Sequence, residues 1–170
     1  MKIRKIGILR CNFMLFSMFL FFCSNETIGQ EKVNITAGFG TSELLNLGLR
    51  FQFQQSQLGF SIGTLPVKDG GFSVTSGFYY HFGGSSDLSA LRPWYGKFGL
   101  IYLKSKTEDF TDSYLFLDIR IGRDFNFSKK FGMSIDAGPA IQLIHTTTDT
   151  EGGWSFPVFP AMGLAFFYRL

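Results

Sequence analysis

An all-β, closed barrel of eight antiparallel up-and-down strands that crosses a membrane is the fold class this sequence predicts, and three observations carry it. The first is strict alternation over residues 161–170, with Met162, Leu164, Phe166, Tyr168 and Leu170 on one side and Ala161, Gly163, Ala165, Phe167 and Arg169 on the other. A period of two over that length marks a strand with one apolar face. The second is recurrence: residues 30–170 divide into eight such segments, with no convincing apolar period of 3.6 residues among them. The third is the chemistry of the opposite face, which is mostly Gly, Ser, Thr, Asn and Gln with a few isolated charges. A soluble barrel would carry abundant Lys and Glu there. Small polar residues suit the lumen of an eight-stranded barrel, which is just wide enough for side chains to fill it. The polar face is therefore expected inside and the apolar face against lipid. Pairing of the last strand with the first would remove two edges prone to aggregation.

The N-terminal segment reads separately. Residues 1–10 are basic, 13–22 are apolar except for Ser17, and a short polar stretch follows from Ser24 to Thr27. This is the layout of a cleaved secretory signal peptide, too short to span a bilayer as a helix. Cleavage is expected after Gly29, giving a signal peptide over 1–29 and a barrel over 30–170. A lipoprotein cut before Cys23 is the rival, disfavoured by the bulky Phe22. The segment holds Lys2, Arg4, Lys5 and Arg10 against Glu26, so it carries the whole net charge of +3 and leaves 12 basic and 12 acidic residues beyond it. No basic patch remains to suggest a nucleic-acid partner. Both cysteines, Cys11 and Cys23, fall in the same segment, so the rest of the chain offers no disulfide, thiol nucleophile or cysteine metal site.

The strands are expected at 33–40, 45–54, 57–65, 72–82, 93–104, 114–127, 131–145 and 154–170. The first three show Val33, Ile35, Ala37 and Phe39; Leu45, Leu47, Leu49, Phe51 and Phe53; and Leu58, Phe60 and Ile62 on the apolar side. The fourth and fifth continue with Phe72, Val74, Phe78, Tyr80 and Phe82, then Trp94, Phe98, Leu100 and Tyr102. The sixth and seventh give Leu115, Leu117, Ile119 and Ile121, then Phe131, Met133, Ile135, Ile141 and Leu143. Two features fit less well. Ile101, Leu103 and Phe116 share the parity of the polar face. Pro139 lies inside a strand and removes a ladder donor, so a bulge or local break is expected there.

With this pattern the chain resembles the small outer-membrane β-barrel family of Gram-negative bacteria, of the eight-stranded OmpA/OmpX-like type. The resemblance spans residues 30–170 and rests on patterning, strand count and the C-terminal stretch. There Gly163, Phe166 and Tyr168 match the family's insertion signal, while Ala161 departs at its polar position and Arg169 and Leu170 run past its last aromatic. The resemblance implies recognition of this segment by the barrel-assembly machinery and residence among outer-membrane lipid and lipopolysaccharide. It implies no single activity, because such barrels act as anchors, adhesion factors and occasionally enzymes.

With the N-terminus in the periplasm, outer loops fall near 41–44, 66–71, 105–113 and 146–153, and periplasmic turns near 54–57, 83–92 and 128–130. Aromatic residues gather at both sets of strand ends, as two interfacial girdles require. On the inward face stand Arg50, Lys97, Asp118, Arg120 and Asp136, which are expected to pair as a lumen charge network because an unpaired buried charge is very costly. That network reads as a plug that stiffens the barrel, with a gate or narrow ion path as the alternative. His81 and His145 invite a lipid-modifying enzyme, but a hydrolase needs base and nucleophile within hydrogen-bond reach. They belong to opposite ends of the barrel; His81 is followed by Phe82, Gly83, Gly84 and Ser85 in a turn without a convincing third member, while His145 has Thr146 to Thr148, Asp149 and Ser155 nearby in sequence. The function expected is an integral, non-enzymatic outer-membrane barrel, monomeric, without cofactor or metal, in a structural, porin-like or surface-interaction role with a mostly plugged lumen. A lipid-modifying enzyme and a soluble lipocalin-like binder of an apolar ligand are the alternatives.

Overall fold

The computed structural model describes residues 33–65, 70–106, 111–147 and 157–170. The expected signal segment and both cysteines lie outside the described residues. Eight strands follow in order: β1 (Val33–Gly40), β2 (Leu44–Phe53), β3 (Ser56–Thr64), β4 (Gly71–Gly83), β5 (Trp94–Lys106), β6 (Thr111–Asn126), β7 (Phe131–Thr147) and β8 (Val158–Arg169). Each pairs antiparallel with the next, and β8 returns to β1 from Asn34 opposite Arg169 to Gly40 opposite Gly163, which closes the barrel. The expected spans agree closely. The last strand begins at Val158, four residues inside its expected start, and residues 154–156 lie outside the described set. No helix occurs among the described residues.

Alternation decides which face is which. Leu47 is 64 % exposed, whereas Arg50, three residues on and of opposite parity, is 6 % exposed. The same split runs round the wall: Ile35, Phe60, Phe78, Phe98, Ile121, Met162 and Phe166 point out, and Asn34, Thr36, Gln57, Ser73, Thr75 and Ser134 are buried within. The faces are thus arranged opposite to those of a soluble barrel with a greasy interior.

The ladders depart from regularity at three places. On β4, the partner of β5 jumps from His81 to Gly83, so Phe82 is bulged outward. On β7, Leu115 faces Ile144 but Phe116 faces Gln142, so Leu143 is the extra residue. Pro139 produces a break without a shift. The bond from Gln142 N to the Pro157 carbonyl, 2.9 Å, fixes the alternation of β7 with β8 and turns the Pro139 nitrogen towards β6. There it has no hydrogen to donate, and the β6–β7 partners skip from Asp118–Ala140 to Ile121–Ala137 in unchanged register.

The end of the barrel that holds Val33, Arg169 and the connections 54–55, 84–93 and 127–130 is called here the terminal end; the turn at 41–43 belongs to the far end. That turn is tight. It delivers Leu44 in the left-handed region at φ 59°, a conformation that costs a non-glycine residue about 1–2 kcal/mol. Ser42, Glu43 and Leu44 are nonetheless all buried, because the turn folds inward over the lumen.

Candidate functional site

The sequence concentrates its unusual chemistry on the inward face, and the structure brings much of it together around Arg120. From β6, the Arg120 guanidinium lies 3.0 Å from Asp136 Oδ1 on β7 and 3.2 Å from Glu43 Oε2 in the 41–43 turn. A second nitrogen donates to Ser42 Oγ at 3.1 Å and pairs with Asp118 two residues earlier on its own strand. The Lys97 ammonium on β5 pairs with the other Glu43 oxygen. Tyr95 donates its hydroxyl to Asp136 Oδ2 at 3.0 Å. Three strands of the wall, β5, β6 and β7, and one turn are thereby tied across the lumen.

Arg50 stands below this knot. It donates to Ser134 Oγ at 3.3 Å and lies 4.4 Å from the centre of the Tyr79 ring, so its charge is met by a ring face and a hydroxyl. Lys97, Asp118, Arg120 and Asp136 thus share one cluster, and Arg50 occupies a neighbouring position outside its ion pairs.

Three further charges belong to the same interior, and the sequence reading did not include them in the network. Glu43 sits in a turn, where strand parity gives no information. Asp124 and Arg169 carry the inward parity and were legible by extending the alternation of β6 and β8 to their ends. Arg169 donates to the Lys129 carbonyl at 3.0 Å and to the Asn126 side chain. With these, the buried charges among the described residues are Arg50, Lys97, Arg120 and Arg169 against Glu43, Asp118, Asp124 and Asp136, four of each sign. A low-dielectric interior penalises net charge steeply, and equal numbers are what minimises that cost. Three positive and two negative groups, the set read from the sequence, left an imbalance that pointed to missing acids.

Gly40 and Gly163 are among the glycines that make room for the knot. A Cβ on Gly40 would lie 2.5 Å from Glu43 Oε2, and one on Gly163 would lie 2.7 Å from Asp136 Oδ1 and 2.9 Å from the Arg120 guanidinium. Gly163, expected as part of an insertion signal, therefore also has a packing reason to be glycine. Phe166, Tyr168 and Leu170, its companions in that signal, all point outward. Beside the knot lies a cavity of about 30 Å³ bordered by Thr36, Glu43, Arg50, Thr75, Tyr79 and Lys97. That is room for one or two water molecules.

Towards the far end the lumen changes character. Ile101, Phe116, Ala140 and Ala161 are inward and buried, and Leu44, at the start of β2, is buried as well. Phe116 meets Phe159 edge-on at 5.2 Å and stacks with Tyr114 at 5.5 Å. Ile101 and Phe116, misfits by parity, are thus members of an apolar layer that lies beyond the ionic one. At its rim the Leu143 bulge reverses the parity of β7, leaving Leu143 and Ile144 outward and turning His145 in. His145 stacks on Tyr114 at 4.5 Å and lies 3.3 Å from Asp112 Oδ1.

The terminal end is covered by the 84–93 connection. Gln55 donates to the Ala90 carbonyl at 2.8 Å and accepts from Arg92 N at 3.0 Å. Asn126 donates to Ser86 Oγ at 3.0 Å, and Leu91 is buried at 2 % exposure. His81 donates from Nδ1 to the Arg92 carbonyl at 2.6 Å, with Nε2 3.4 Å from the Gln57 side chain. No described serine or threonine bonds to either histidine ring. Thr148, Asp149 and Ser155, near His145 in sequence, lie outside the described residues. No group of three His, Cys, Asp or Glu side chains able to hold a metal ion occurs among the described residues.

Comparison with known proteins bears on the fold. No family model matches the chain, and no curated protein matches it. Among solved structures it is similar to the N-terminal β-barrel domain of Pseudomonas aeruginosa OprF, at 18 % identity and a TM-score of 0.54, over 82 % of this chain and 99 % of that domain. The likeness extends over nearly the whole of that domain, and what it shows is the fold: the chain is an eight-stranded, all-antiparallel closed β-barrel.

Proposed function

We propose that this chain is an integral outer-membrane β-barrel, monomeric and non-enzymatic, which acts as a structural or surface-interaction protein and whose lumen passes no more than water or small ions. One observation carries the reading: among the described residues the wall is apolar outside, while eight charges of zero net sign are buried inside. Such a wall is unstable in water and suited to hydrocarbon. An ionic knot under an apolar layer leaves little space for a solute. The barrel likeness to the OprF domain supports the architecture on which this rests. On this reading the signal segment is removed after Gly29, and Gly163, Phe166, Tyr168 and Leu170 address the strand to the barrel-assembly machinery. The terminal end then faces the periplasm and the far end faces lipopolysaccharide.

The test is electrophoretic mobility of the outer-membrane fraction in detergent, boiled against unboiled, followed by conductance in a planar bilayer. Faster migration before boiling and no steady large conductance are expected. Recovery in the soluble fraction without a heat-dependent shift would overturn the reading in favour of a lipocalin-like binder. Large, steady conductance would overturn the closed lumen alone.

A further inference from the structure

Arg123 is a charge on the lipid side of the wall. It lies on β6 between Gly122 and Asp124, both inward, so its side chain projects outward with Ile121 and Phe125. A charge facing hydrocarbon is expensive and persists where it reaches the interface or finds a partner. Across the ladders its neighbours are Trp94 on β5 and Ile135 on β7. Its guanidinium carbon stands 5.4 Å from the Trp94 ring centre and 5.2 Å from that of Phe125. Ring contacts of this kind take up the faces of the planar cation and leave its N–H edge for an anion. Among the described residues, no carboxylate pairs with Arg123 and none accepts a hydrogen bond from it.

The surroundings have the same sign. Lys130, on the 127–130 connection, holds its ammonium 5.9 Å from the Tyr168 ring, and Lys129 beside it is exposed. Asp87 is the one acidic residue in the connections at this end, against Arg92, Lys129 and Lys130. The outward aromatic belt at this end includes Phe131, whose ring meets those of Phe127 and Phe166.

We propose that Arg123 is the centre of a binding site for the phosphate of an anionic phospholipid in the leaflet around the terminal end. The proposal rests on the reading of the chain as a membrane barrel. A phosphodiester offers two oxygens to the guanidinium edge, and Trp94 and Phe125 suit the glycerol level below it. A zwitterionic headgroup would bring a second cation towards Arg123 and the two lysines, so an anionic one is favoured.

Trp94 makes the site readable. Substituting Trp154→Phe leaves Trp94 as the sole tryptophan of the chain. The full barrel is reconstituted in phosphatidylcholine vesicles doped with brominated phosphatidylglycerol or brominated phosphatidylcholine, and Trp94 emission is followed. Half-quenching is expected at an about fivefold lower mole fraction of the anionic lipid, the preference a single basic residue at the interface supplies. Arg123→Gln should erase the preference, Arg123→Lys should keep part of it, and Lys104→Gln, outward at the far end, should leave it unchanged. Folding of each variant is checked by its heat-dependent mobility. Equal quenching by both lipids in the parent protein overturns the site but not the membrane reading. A preference that survives Arg123→Gln also overturns it. Quenching by neither lipid overturns both.

Discussion

Two layers of one lumen, built on the same strands, fill it by opposite means. On β5, Lys97 and Ile101 stand on the inward face four residues apart; on β6, Arg120 and Phe116 do the same. At the level of Lys97 and Arg120, oppositely charged groups from β5, β6, β7 and the 41–43 turn interlock. At the level of Ile101 and Phe116, the space is taken by aliphatic and aromatic volume. The ionic layer depends on partner identity, since a missing partner strands a charge. The apolar layer depends on volume, and tolerates exchange between residues of similar size. It also keeps water from the ion pairs on the far side, which strengthens them.

The comparison breaks most severely at Arg120. Arg120→Met leaves Glu43, Asp118 and Asp136 with Lys97 as their near cation, and breaking a buried network this way costs about 3–5 kcal/mol. The midpoint of urea unfolding in vesicles, followed by tryptophan emission, should fall accordingly. Adding Asp118→Asn and Asp136→Asn to that variant should restore much of the loss, because the stranded charges are then gone. If the triple variant is no more stable than Arg120→Met, partner identity is not what governs the layer. Phe116→Ala tests the other layer. A cavity of that size costs about 3 kcal/mol, and Phe116→Leu should recover most of it, whereas no conservative exchange of Arg120 should do as well.

Smaller effects sharpen the boundary. Gly163→Ala pushes a methyl against Asp136 and Arg120, and overpacking there should cost about 1–3 kcal/mol, read in the same unfolding midpoint. It also separates two roles of that glycine: a variant that inserts normally but unfolds early has lost packing and not address. Pro139→Ala should act in the reverse direction. It returns a ladder donor facing β6, a gain of about 1 kcal/mol, seen as slower amide exchange on β6 and β7.

Much of this was legible because alternation is a local code. Facing and the inward positions of Arg50, Lys97, Asp118, Arg120 and Asp136 follow from parity; the up-and-down strand order follows from eight successive segments that leave no free edge when the last pairs with the first. Parity fails where the backbone leaves its period. Glu43 lies in a turn, and its position depends on the left-handed Leu44 that steers the chain inward. His145 changes face because of one extra residue at Leu143, and no sequence signal marks that bulge. The expected irregularity at Pro139 is present as a break in the ladder, since proline removes a hydrogen without adding length. Ile101 and Phe116 had the correct parity all along; the assumption that conflicted with them was a lumen uniformly polar along its height.

The turn that carries Glu43 has a consequence for the order of assembly. It belongs to the first hairpin, yet its partners lie 54 residues later at Lys97 and 77 residues later at Arg120. Until β5 and β6 are in place, the carboxylate has no cation to meet and the strained Leu44 has nothing to hold it. Closing loops of that length is a late event in folding. The first hairpin can therefore form early as a ladder, but its turn latches over the lumen only when three-quarters of the wall is already standing.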